Sequence, residues 1–172
     1  MTKVSDISEF DLISRLQSVL ENNVTPNPDT KVEISIGDDA AVVSDMDNLQ
    51  VVTTDAMVDK VHFISKEIDM RNLGWKSLAV NYSDIASMGC NPRYSVVTLG
   101  LKADILVEQL ENLYLGFSDL LNTYGGDLIG GDIVKSDTFF ISVTVVGSTD
   151  KPETMQRKTA VPGDVIAVTG HL

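Results

Sequence analysis

Residues 70–101 read MRNLGWKSLAVNYSDIASMGCNPRYSVVTLGL, and the change of period within this stretch decides the fold. Leu73, Leu78, Ile85 and Met88 lie on or near one face of a helix over Met70–Met88, with Trp75, Val80 and Tyr82 nearby. Gly89 suits the helix stop and Pro92 ends any continuation. Arg93–Leu101, rich in Val and Thr, then reads as a strand. Upstream, Phe10, Ile13, Leu16 and Leu20 recur at helical spacing and predict a helix over Ser8–Leu20. Pro26 and Pro28 mark a loop, followed by short strands at Val32–Ile36, Ala40–Val43 and Gln50–Thr54. Downstream, the spacing of Leu106, Leu110, Leu113, Phe117 and Leu121 predicts a helix over Ile105–Asn122. Leu128–Ile129 reads as a short strand, Phe139–Val146 as the clearest one and Val165–Thr169 as the last. Strands come in runs with long helices between them. The expected class is therefore α+β: a mixed or antiparallel sheet of about six strands with helices packed on one face.

Composition narrows what such a chain does. Its 172 residues predict one domain, and a hydrophobic fraction of 43% is that of a globular protein. The charge is −12, from 13 basic and 25 acidic residues. Such acidity works against sequence-independent nucleic-acid binding and against anionic membranes. It does not exclude phosphates, because carboxylates hold Mg²⁺ and Mg²⁺ holds phosphates. One cysteine, Cys90, makes neither an internal disulfide nor a Cys-based zinc site. No signal-like start or bilayer-length apolar run is present, so the expected compartment is the cytoplasm. The final residues, Val168 to Leu172, stop just past a predicted strand and read as a domain boundary.

The acids of interest fall in four groups. They are Gly37-Asp38-Asp39-Ala40, Thr53-Thr54-Asp55, Asn81-Tyr82-Ser83-Asp84 and Leu128-Ile129-Gly130-Gly131-Asp132. Each has a plain structural explanation. Gly-Asp-Asp and Gly-Gly-Asp are common turns, and Asp84 suits a solvated helix face. Asp55 is harder to explain that way, because it follows a buried-looking strand. Read together, the groups point to carboxylates gathered at strand ends around one or more Mg²⁺ ions, with Thr53 and Thr54 adding oxygens. Gly130 and Gly131 would let backbone N–H groups approach phosphate oxygens. The sequence has no P-loop, no protein-kinase loop set, no Gly-x-Gly-x-x-Gly and no nucleophile elbow. Phosphate chemistry here would rest on acids, metal and backbone amides.

The ordered set of segments resembles the N-terminal domain of thiamine-monophosphate kinase, in the superfamily of aminoimidazole ribonucleotide synthetase and selenophosphate synthetase. The segments are Ile36-Gly37-Asp38-Asp39-Ala40, Thr53-Thr54-Asp55 with His62-Phe63, Ala79 through Gly89, Leu128 through Asp132, and Pro162-Gly163-Asp164. The resemblance implies ATP-dependent phosphorylation of thiamine monophosphate to thiamine diphosphate. It implies Mg²⁺ ligands at Asp39, Thr53, Thr54, Asp55, Asp84 and Asp132, nucleotide contacts at Gly131, Asp132 and Arg157, and His62 near the thiamine phosphate. It also implies a homodimer formed through this domain. Residues 1–172 would be the Mg-ATP-binding and dimerisation domain, without the C-terminal substrate domain. Ile133 stands where the family often has Thr, so no hydroxyl contact is expected there. Two rival readings are another ATP-using synthetase of the same superfamily and a non-catalytic divalent-metal-binding dimerisation module.

Overall fold

A computed structural model describes residues 2–28, 30, 32–34, 36, 42–43, 49–150, 154–156, 159–168 and 170. After a short 3-10 turn at Val4–Asp6, the elements run α1 (Glu9–Asn23), β1 (Val32–Ile34), β2 (Val42–Val43), β3 (Leu49–Val58), α2 (Met70–Ser87), β4 (Asn91–Leu101), α3 (Val107–Tyr124), β5 (Asp127–Lys135) and β6 (Phe140–Thr149). The main sheet has four strands in the order β3-β6-β4-β5. β6 is antiparallel to both β3 and β4, while β4 and β5 are parallel and joined through α3. The class is α+β with a mixed sheet, as expected. The sheet is smaller than the six strands expected, because among the described residues β1 and β2 pair only with each other. Val165–Val168 forms no strand; Val165 and Ile166 are almost fully exposed and meet no strand edge.

Each helix forms where its ends are satisfied. Ser8 Oγ accepts the Asp11 N–H at the start of α1, and Asp69 accepts the Asn72 N–H at the start of α2. α3 ends at Gly125 (φ 77°), followed by Gly126 (φ 87°), a left-handed pair that only glycine adopts without strain. The Tyr82 hydroxyl donates to the Gly125 carbonyl at 3.0 Å, tying that turn to α2. Burial pushes the Tyr82 phenol well above its ordinary pKa.

The core lies on one side of the sheet. Met57, Ile141, Val143, Val145, Val97 and Leu99 are buried against the helices, with Leu73, Leu78 and Ile85 of α2 facing them. α2 and α3 approach until their backbones touch. A Cβ on Gly74 would collide with the Leu113 carbonyl oxygen, and one on Gly116 with the Arg71 carbonyl oxygen. The opposite sheet face is uncovered by any described helix. Its registered rows carry Val52, Thr54, Val96, Thr98, Ser142, Thr144, Asp132 and Val134. Val52 is 64% exposed.

Replacing Gly116 by alanine should destabilise the fold. The overpacking penalty of about 1–3 kcal/mol exceeds the ~1 kcal/mol that alanine contributes to a helix. Urea denaturation should show a lower midpoint at unchanged slope. A second expectation concerns pH. Arg71 donates to both oxygens of Asp119 at 2.5 and 2.7 Å, which holds the Asp119 carboxyl below its ordinary pKa. The stabilisation is therefore complete above the unfolded carboxyl value of about 4 and is lost as pH falls through the lower folded value. The stability gap between wild type and Asp119→Asn should be constant near neutrality and close in acid, as read by denaturation at a series of pH values.

Candidate functional site

The candidate site begins where the C-terminal part of α2 crosses β3. Asp84, three residues before the end of α2, accepts a hydrogen bond from Thr53 Oγ1 at 2.9 Å. The α2 turn beneath it is closed by Ser87 Oγ, which donates to the Asp84 carbonyl at 2.8 Å. Thr53 and Asp55 are two residues apart on β3, so they share the face that α2 covers. In register, Asp55 sits beside Val143, then Val97, then Gly131. Asp55 and Asp84 are exposed carboxylates, and neither forms an ion pair with a described lysine or arginine.

The remaining described residues of the predicted set lie elsewhere. Thr54 points to the uncovered face; its hydroxyl donates to the Val143 carbonyl at 3.0 Å and accepts from Thr144 Oγ1 at 3.0 Å. Asp132 is in the row Ala56, Ser142, Thr98, Asp132, which is also on the uncovered face. It is on β5, three strands from β3, or about 14 Å at the usual strand spacing. Gly131 lies within β5, and a Cβ there would collide with the Val97 carbonyl oxygen. Its lack of a side chain is thus explained by strand packing alone. Neither Asp55 nor Asp132 stands at a strand end, since β3 continues to Val58 and β5 to Lys135. Asp39 and Arg157 lie outside the described residues. Among the described residues, no group of three or more His, Cys, Asp or Glu converges closely enough to hold a metal ion.

His62 follows β3 in a tightly bonded loop. Its Nδ1 accepts the Val58 N–H at 3.0 Å, and the ring is exposed. Sequence reasoning missed what holds this loop. Asp59, only 7% exposed, accepts the Ser65 N–H at 2.8 Å and the Ser65 hydroxyl at 3.0 Å. The Ser65 backbone N–H is the main influence holding the Asp59 carboxyl below its ordinary pKa, against the opposing effect of burial. An Asp and a Ser six residues apart form no recognised motif, so the sequence carried no signal for the pair. Met155 was also missed as a tether: its N–H donates to the Met88 carbonyl at 3.0 Å, beside the end of α2.

With this geometry in view, the comparisons place the chain. Residues 37–149 match the model of the AIR synthase related protein family, N-terminal domain. The chain belongs to that family. It is 36% identical over 170 residues to the thiamine-monophosphate kinase of Bacillus subtilis (strain 168), an alignment covering 96% of this chain and 50% of that protein. The crystal structure of thiamine-monophosphate kinase from Stenotrophomonas maltophilia K279a superposes with a TM-score of 0.70 at 33% identity, covering 88% of this chain and 45% of that one. A second thiamine-monophosphate kinase structure, AaThiL complexed with AMPPCP and TMP, gives a TM-score of 0.60 at 29% identity with the same coverages. The resemblance drawn from the sequence is thus borne out. The chain spans about half the length of the curated relatives it matches. No described helix is long and apolar enough to cross a membrane.

Replacing Thr53 by valine should remove the hydroxyl that orients Asp84 while keeping the β-branched shape a strand favours. The expected loss of stability is small, at most ~1 kcal/mol for one exposed hydrogen bond. The Asp84 carboxylate should gain rotational freedom, which side-chain carboxyl NMR of labelled protein would register.

Proposed function

We propose that this chain is the nucleotide-binding half of a thiamine-monophosphate kinase that transfers the γ-phosphoryl group of ATP to the phosphate of thiamine monophosphate. The observation that carries the reading is the pairing of Thr53 with Asp84 beside Asp55, in a chain aligned along 96% of its length with a kinase of that name.

The donor chemistry of Asp55 and Asp84 fits Mg²⁺. Two exposed carboxylates without a described cationic partner suit an ion that takes one or two carboxylates and completes its shell with water and phosphate. Asp55 and Asp84 would hold the ion, with Thr53 orienting Asp84. Asp39, Thr54 and Asp132 are further proposed ligands from the resemblance, and Gly131, Asp132 and Arg157 its proposed nucleotide contacts. When bound, Mg²⁺ would supply charge neutralisation between two anionic phosphates. The chain's own part is to place that positive charge and to position the donor. The acceptor phosphate is already an anion at neutral pH, so no strong protein base is required. His62 is proposed to contact the acceptor phosphate.

The uncovered sheet face, with Val52, Val96 and Val134 exposed among hydroxyl residues, is the proposed homodimer surface. Placement in the cytoplasm follows from the proposed biosynthetic role. The isolated half is expected to be inactive, since a relative of the full length has about as many residues again.

Calorimetric titration of the chain with AMPPCP, with and without Mg²⁺, tests the reading. Binding should require Mg²⁺, and Asp84→Asn or Asp55→Asn should weaken it by about tenfold or more, or ~1.4 kcal/mol. Thermal stability should barely change, because both side chains are exposed. Metal binding with no nucleotide preference would support the non-catalytic module instead. A substrate screen on a full-length relative separates the kinase from other synthetases of the superfamily.

A further inference from the structure

Among the described residues β3 is an edge strand, so the N–H groups on its outer side have no described ladder partner. At Val58 a side chain takes that role: the N–H donates to His62 Nδ1 at 3.0 Å. An imidazole nitrogen that accepts a hydrogen bond carries no proton, so a neutral His62 carries its proton on Nε2. No described acceptor engages Nε2, and the ring is exposed.

The loop gives this arrangement little freedom. The Val61 and His62 N–H groups both donate to the Val58 carbonyl, at 3.1 and 2.9 Å, and the Lys60 N–H donates to the Phe63 carbonyl at 2.6 Å. Lys60 is in the left-handed region at φ 66°, a conformation that a non-glycine residue holds only when its surroundings impose it. Phe63 is buried edge-on against Phe139, with ring centroids 5.5 Å apart. The far end of the loop is closed by Asp59, whose two oxygens take the two Ser65 donors. Asp59 is a buried carboxylate with no ion-pair partner within reach among the described residues; its two oxygens accept both donors of Ser65, and the neighbouring Lys60 N–H and charge also favour its ionised form. Those hydrogen bonds offset the cost of burying the carboxylate. Lys60 and Lys66 are exposed and stand two and four residues from His62 in a strongly acidic sequence.

We propose that Asp59 is a positioning residue: by clamping Ser65 it holds the 59–65 loop so that His62 presents Nε2–H outward as a neutral donor to a phosphate oxygen. That the phosphate belongs to the acceptor substrate rests on the kinase reading; the positioning does not.

The test uses the whole chain labelled with ¹⁵N-histidine, with His171→Asn assigning the two rings. Two-bond ¹H–¹⁵N spectra at a pH where imidazole is neutral should show His62 protonated on Nε2 only. Asp59→Ala should mix the tautomers. Ser65→Ala, which removes one of the two donors, should do so partially, and Asp59→Asn, which keeps an acceptor for the Ser65 N–H, should restore the wild-type pattern. Should Asp59→Ala fail to fold, Ser65→Ala decides. A wild-type ring protonated on Nδ1, or a tautomer unchanged in Ser65→Ala and in folded Asp59→Ala, overturns the proposal. Inorganic phosphate should shift the His62 Nε2 resonance saturably, with affinity about fivefold weaker in Ser65→Ala, the effect of roughly one hydrogen bond. A wild-type His62 resonance indifferent to phosphate overturns the ligand assignment. Loss of Mg-dependent AMPPCP binding alone counts against the kinase reading and not against this one.

Discussion

The contact between Gly74 of α2 and Gly116 of α3 sets the arrangement of everything around it. Each glycine faces a backbone carbonyl of the other helix at a separation that leaves no volume for a methyl group. The two helices consequently form one rigid pair. α2 lies against β3 and β6, α3 rides on α2, and α1 packs on α3. The three described α-helices are therefore stacked to one side, and the other face of the sheet carries no described helix. The same placement carries the polar C-terminal part of α2 over β3, where Asp84 meets the Thr53 hydroxyl. A helix shifted outward by one side chain would lose that meeting.

The acidity of the chain takes on meaning in this frame. Three ion pairs join described residues, Arg15–Glu111, Arg71–Asp119 and Lys102–Asp104, and all three are away from β3. Such exposed pairs stabilise little, and their main effect is to neutralise local charge. Asp55 and Asp84 have no such partner among the described residues. Asp132, by contrast, stands in a row of hydroxyl residues on the uncovered face, across the sheet from Asp55. Asp55 and Asp132, which look like one set in the sequence, are on opposite faces of the sheet within a single chain.

Much of the architecture was legible. The three helices were expected within a few residues of where they stand, because their apolar stripes are long and bounded by Gly and Pro. The strands at residues 91–101 and 140–149 were equally plain. β5 was read as two residues and has nine, because Gly130-Gly131-Asp132 has turn composition, and only pairing with β4 holds it extended. β3 was cut short at Thr54 for a related reason: Asp55 resembles a strand end, yet pairing with β6 continues to Val58. The Asp59–Ser65 clamp and the His62–Val58 bond were invisible, since short polar contacts across a loop leave no periodic trace.

The sequence alone determined the family and the order of the elements. Those properties are carried by apolar period, turn residues and ordered motifs, all of which are local along the chain. Which carboxylates share a face was decided only by the tertiary structure. A strand presents alternate residues to opposite sides, so one step of register moves an aspartate through the sheet. That register was set by the neighbours β6 and β4, which lie many residues away in the chain.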